Sequence, residues 1–203
     1  AMLPPQDLAG YEQALTSLGL PLTTFDRYEP WYAAMMLSLM PLMQQGYSAD
    51  SGVEEVLAAR LAPTIRRGAL ETVDFQLGLF DSLPQDSQYA YLREMIAGLP
   101  DIKATLDAMV AEWLEGDAED LAALLQEDET DPVLFEALIA GRNRNWANWV
   151  MRRLNSPGTV FVAVGAGHLA GRASVGAGAA CAAGGDGGGA AGGGARGGAD
   201  GGA

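Results

Sequence analysis

Apolar residues recur every three or four positions along most of the chain, the spacing that lines up side chains on one helix face. Leu8, Tyr11, Leu15 and Leu18 predict a helix over 5–18. The run 31–43 is apolar except for Ser38 and predicts a helix over 28–45, with Pro41 as a kink point. Val53, Val56, Leu57 and Leu61 predict a short helix over 50–61. Val73, Leu77 and Phe80 are in phase over 72–81, and Tyr89, Leu92 and Ile96 follow Pro84 over 85–98. Two further helices are expected at 101–115 and 117–127. Their sides carry Asp101, Glu112, Glu115, Asp117, Glu119 and Asp120, which read as a solvated acidic face. Asp131 is placed to cap a helix opened by Pro132, which runs to Leu154 and stops at Ser156-Pro157-Gly158.

The pattern then changes. Thr159-Val160-Phe161-Val162-Ala163-Val164 is β-branched, aromatic and uninterrupted, which fits a strand buried on both faces. Residues 66–70 are the other strand candidate. The expected class is therefore α/β, a small central mixed or parallel sheet with a large helical insertion. That sheet is incomplete in this chain, with its remaining strands expected on the N-terminal side. Unpaired, the strand 159–164 would expose ladder groups and an apolar face, so aggregation is expected. Residues 1–175 read as one domain. In 176–203 only Cys181, Asp186, Arg196 and Asp200 interrupt Gly and Ala, so this stretch reads as a disordered tail. A frameshift in GC-rich DNA would give the same composition.

Charge and rare residues narrow the chemistry. Of 203 residues, 12 are Lys or Arg against 26 Asp or Glu, a formal charge of −14. A nucleic-acid partner is not expected from such a surface. One Cys excludes an intrachain disulfide and a cysteine zinc cluster, and one His excludes a site built from two imidazoles of this chain. The N-terminus has neither a basic nor an apolar signal region, and 31–43 falls short of the ~20 residues that span a bilayer.

The candidate chemistry sits after the expected strand. In Gly165-Ala166-Gly167-His168 the two glycines would allow sharp turning and present His168 at the strand's carboxyl end, where ligands bind in open α/β sheets. A histidine there can ligate a metal or move protons, or can serve only as a structural hydrogen-bonding group. Gly165, Gly167 and Gly171 approach a dinucleotide fingerprint, but the helix and acidic residue it requires are replaced by the Gly/Ala stretch, so no nucleotide is expected. Arg142 falls on the apolar stripe Phe135, Leu138, Ile139, Trp146, Trp149 and Val150, with Asn143 beside it. Glu71 sits where 66–70 meets a helix, with Gln76 one turn on. A charge on a core-facing stripe needs a partner, so Arg142 and Glu71 are expected to pair or to share a ligand.

Taken together, Leu70-Glu71-Thr72, Gln76, Leu79-Phe80-Asp81-Ser82-Leu83, Gln88, Arg142-Asn143, Trp146-Ala147 and Val162 to Gly171 resemble the TraB/GumN family, as do Gly46-Tyr47-Ser48 and Gly52-Val53. The resemblance runs from about residue 3 to 175 and links the chain to the Tiki proteases and the erythromycin-esterase/ChaN-like group. It implies an α/β fold with two G-x-x-H motifs and an acidic residue, a divalent metal, and peptidase-like hydrolysis among Tiki relatives. It also implies a periplasmic or envelope location; TraB itself is implicated in silencing peptide pheromones. By resemblance, Gly165 and His168 match the second G-x-x-H, Glu71 the L-E-T glutamate, and Arg142 and Asn143 the R-N pair. Glu54 stands where many members carry Asp. The first G-x-x-H is absent, so the chain resembles the C-terminal two thirds of a member.

Two readings follow. In the first, an intact member is a metal-dependent, peptidase-like hydrolase. His168 is then a metal ligand, Glu71 a ligand or general base, and Arg142 a stabiliser of an oxyanion, with Gly165, Gly167 and Asn143 in support. In the second, the fold is a non-catalytic envelope protein that binds a partner, a peptide or a small polar molecule.

Overall fold

The computed structural model describes residues 3–48, 52–116, 118–126, 131–169, 171 and 173–184. The main helices are α1 (Pro5–Ser17), α2 (Pro30–Gln44), α3 (Val53–Arg60), α4 (Val73–Asp81), α5 (Gln85–Gly98), α6 (Ile102–Glu115) and α7 (Ala118–Gln126). After these come α8 (Pro132–Phe135), a π turn (Glu136–Ala140), α9 (Gly141–Leu154), a 3-10 turn (Ala166–His168) and α10 (Val175–Gly184). The periodicity therefore places α1 to α7 to within a few residues. Asp131 caps as expected, its carboxylate accepting from Val133 N–H at 2.8 Å. Residue 50 at the start of the third expected helix, Asp117 of the acidic face, and Ala170 lie outside the described residues.

The larger core lies among α1, α2 and α5. Tyr11, Ala14, Leu15, Phe25, Ala33, Ala34, Leu37 and Leu92 are buried together. Leu15 and Leu92 come from the predicted stripes. Leu15, Leu37 and Leu92 are almost wholly buried; each such leucine contributes about 1.5–3 kcal/mol relative to exposure. A smaller cluster joins α9 to α10 through Trp146, Ala147 and Val175, with Leu70, Val164 and Ala179 against it. A Cβ on Gly178 would stand 3.1 Å from the Ala147 Cβ, so a residue without a side chain lets α10 approach α9 this closely.

The sheet is a correction. Among the described residues there is no strand, and the chain is all-α rather than α/β. Both expected strands, 66–70 and 159–164, are irregular. A β-forming sequence becomes a strand only when a partner satisfies its peptide groups, and neither segment pairs with the other. Val160, Phe161 and Val162 are exposed, Phe161 by 78%. The stripe of α3 (Val53, Val56, Leu57) and the neighbouring Leu61 are exposed too, and no residue of α3 is buried. Within the stretch expected to be a disordered tail, residues 176–184 belong to the helix Val175–Gly184, which packs on α9. Residues 185–203 of that tail lie outside the described residues.

Candidate functional site

The residues singled out by pattern meet in one cluster. Thr72 caps α4, its Oγ1 accepting from Phe75 N–H at 3.1 Å, and this fixes Glu71 just before the helix. Arg142 is the second residue of α9, immediately after the π turn. Such turns insert an extra residue into a helix and recur at functional sites. Here the Gly141 N–H reaches back five residues to the Glu136 carbonyl. A Cβ on Gly141 would lie 2.8 Å from that oxygen, so this turn requires glycine. The Arg144 guanidinium pairs with the Glu136 carboxylate across the same turn.

Glu71 is the hub. Its Oε1 accepts from the Trp146 indole N–H at 2.8 Å and from Arg142 Nε at 3.2 Å. Its Oε2 accepts from Arg142 Nε at 3.0 Å, from Gln76 Nε2 at 3.2 Å, and lies 2.9 Å from Arg142 Nη2. The two side chains are only 17% (Arg142) and 5% (Glu71) exposed. Burial on its own would raise the Glu71 carboxyl. Hydrogen bonds from Arg142 and Gln76, the Arg142 charge and the Trp146 N–H outweigh it and hold the group below the usual carboxylate range.

His168 closes the cluster from the 3-10 turn, where its N–H donates to the Gly165 carbonyl at 3.0 Å. Asn143, 1% exposed, reads the ring. Its Nδ2 donates to the Ala173 carbonyl at 2.6 Å, which turns Oδ1 toward His168 Nδ1, also at 2.6 Å. The proton therefore belongs on Nδ1, and the Nε2 lone pair faces Arg142 Nη1 at 3.4 Å. The ring packs on Trp146 with centroids 4.5 Å apart, and the Arg142 guanidinium lies 4.9 Å from the centre of the same indole. Burial first, then the Arg142 charge, push the imidazole down to about 4, against a smaller opposite pull from Glu71. His168 is neutral at neutral pH.

Two expectations change. Among the described residues no strand lies beneath His168; the ring is held by Asn143 and Trp146, and α7 lies against its turn. The chain turns tightly here, from the Gly165 carbonyl to the His168 N–H, but Gly165 has φ −56° and Gly167 is not among the glycines with positive φ, so the turn does not use the conformational freedom of glycine. The left-handed positions are Gly158 (φ 104°) and Gly171 (φ 78°), at either side of the segment. Pattern reading also missed Trp146 as a site residue. Its signal was an indole on a buried stripe, since a buried indole N–H requires an acceptor.

The donor set does not fit a divalent metal. Such a site needs about three ligands with free lone pairs. Glu71 spends its lone pairs on Arg142, Trp146 and Gln76, and the free nitrogen of His168 faces a cation. Among the described residues no group of three His, Cys, Asp or Glu side chains is arranged to hold an ion. Arg142 is committed as well: Nε and Nη2 go to Glu71, and Nη1 goes to the Leu138 carbonyl and His168.

Beside the cluster opens a cleft of about 910 Å3, bounded by 66–71 and 160–165 together with Glu54, Trp149 and Arg153. Among the described residues no helix is long and apolar enough to cross a membrane. A search among curated proteins finds no match, and no solved structure matches. The sequence profile of the TraB/PrgY/gumN family matches residues 1–177.

Proposed function

The chain belongs to the TraB/PrgY/gumN family, and on that footing we propose that its cleft binds a polar, peptide-like ligand without cleaving it. The Glu71–Arg142–His168 cluster is then a rigid floor. The observation behind this reading is the saturation of Glu71 by Arg142, Trp146 and Gln76. A carboxylate so engaged, and lowered in pKa, is a poor general base and a poor metal ligand. The cleft is of the size that holds a small ligand, and its walls mix apolar and cationic groups. An envelope location accompanies the resemblance and is part of the same proposal.

A metal-dependent, peptidase-like hydrolase is the second reading. One feature favours it: His168 borders the cleft as a neutral imidazole, whose free nitrogen faces Arg142 in this structure and would have to turn from it to serve a hydrolase. One experiment separates the two. Metal content and peptide hydrolysis are followed with mixed synthetic peptides in the full chain and in His168→Ala, and the imidazole resonances in the full chain. The binding reading expects peptide-dependent shifts of the His168 resonances, no stoichiometric metal and no hydrolysis. Stoichiometric metal and hydrolysis, both lost in His168→Ala, would select the hydrolase.

A further inference from the structure

The two stretches with strand-forming sequences border the same cleft. Six consecutive residues, 66–71, line it from one side of the sequence and six more, 160–165, from the other. When neighbours in a row all line a cavity, main chain as well as side chains forms its wall, because successive side chains of an open segment point in opposite directions. Among the described residues, no peptide group of 66–71 or 160–164 hydrogen-bonds to another main-chain group. Two walls whose peptide groups have no main-chain partner among the described residues thus border one space.

The charge of that space differs from the rest of the molecule. Arg66, Arg67, Arg142 and Arg153 line it against Glu54 and Glu71. Arg142 and Glu71 neutralise each other. Three guanidinium groups remain against one carboxylate, in a chain of net charge −14. Arg67 and Arg153 spend donors on main-chain carbonyls, whereas Arg66 has no partner among the described residues.

We propose that this slot accepts an extended acidic peptide as an added strand, its main chain pairing with 160–164 and 66–71 and its carboxylates meeting Arg66, Arg67 and Arg153. This rests on the cleft being a binding site and names what it selects. Strand addition draws affinity from main-chain hydrogen bonds and specificity from alternate side chains. Residues on one face of the peptide meet the arginines. Those on the other meet Val160, Phe161, Val162 and Trp149. Six residues of contact correspond to a peptide stretch of about 20 Å.

The probe is an end-blocked octapeptide of alternating Glu and Val with a fluorescent label, titrated into the full chain. Its comparators are the Lys-Val peptide and a Glu-Val peptide N-methylated at alternate peptide bonds, which loses main-chain donors at constant charge. Both should bind at least about tenfold more weakly. Binding of the Glu-Val peptide should slow amide exchange at 160–164. Arg66→Ser with Arg67→Ser should weaken it by a similar factor with an unchanged melt, and Arg66→Lys with Arg67→Lys should recover part of the loss. Equal binding of the methylated or the Lys peptide overturns the proposal. So does protection of 160–164 that rises with protein concentration alone, which assigns the slot to a second copy of the chain. If peptides shift the His168 resonances but N-methylation has no effect, strand addition fails and the binding cleft survives. If 160–164 is protected while His168 is silent, the cluster is not the floor of the site, and strand addition survives.

Discussion

His168 is held in one tautomer by an amide that cannot turn around. Asn143 donates to the Ala173 carbonyl with one end, so only its oxygen is left for the ring. Because the chain has a single histidine, its imidazole resonances need no assignment. A pH titration should show a midpoint near 4 and proton occupancy on Nδ1 at neutral pH; a midpoint at the ordinary 6.5 would refute the buried neutral ring. The folded state binds this proton less tightly than the unfolded chain does. Stability should therefore fall as pH drops from about 6.5 towards 4, and be insensitive to His168 above that window. Glu71 acts in the same direction, since the stability from its lowered pKa is lost as pH falls through the folded value. Asn143→Asp, which places a negative charge on Nδ1–H, should raise the midpoint. The sequence showed that Arg142 needed a partner because a guanidinium on an apolar stripe is costly alone. It did not show Asn143 fixing the ring, because that bond depends on a main-chain carbonyl placed by a later segment.

The single expected helix from Pro132 to Leu154 is one rod with an extra residue in it. The π turn puts Arg142 opposite Glu71, and Gly141 makes the turn sterically possible. Gly141→Ala forces a Cβ against the Glu136 carbonyl, and overpacking of this kind costs roughly 1–3 kcal/mol. The melt should fall accordingly, and the His168 resonances should move as Arg142 is displaced. Gly78→Ala in α4 is the comparison: nothing lies within 4 Å of its Cβ, and removing a helical glycine should stabilise by about 0.4–1 kcal/mol. An unchanged His168 signal in Gly141→Ala would remove the π turn from the account. Periodicity located this helix but not the turn inside it, because one inserted residue moves the stripe by a single position and spacings of three and four already alternate along it. The strands failed for another reason. Val160, Phe161 and Val162 have the composition of a core strand, and composition reports how well a segment would pair, not whether a partner is there.

Among the described residues two buried apolar clusters form, of unequal size. The α1–α2–α5 core is built from long apolar side chains, whereas the α9–α10 cluster rests on Trp146, Ala147 and Val175. Amides of α2 and α5 should therefore exchange most slowly with solvent, and those of 66–71 and 160–164 fastest, since the latter have no main-chain partner among the described residues. Slow exchange at 160–164 in dilute protein without peptide would show a pairing absent from the structure. Glu71 and Arg142 stand 71 positions apart and tie the approach to α4 to the start of α9. Losing either leaves a charge stranded in a poorly solvated place, so replacing either should cost stability whatever ligand is bound. Arg66 carries no such duty. That exposed side chain can therefore be exchanged without disturbing the fold, while the clasp behind it tolerates no such change.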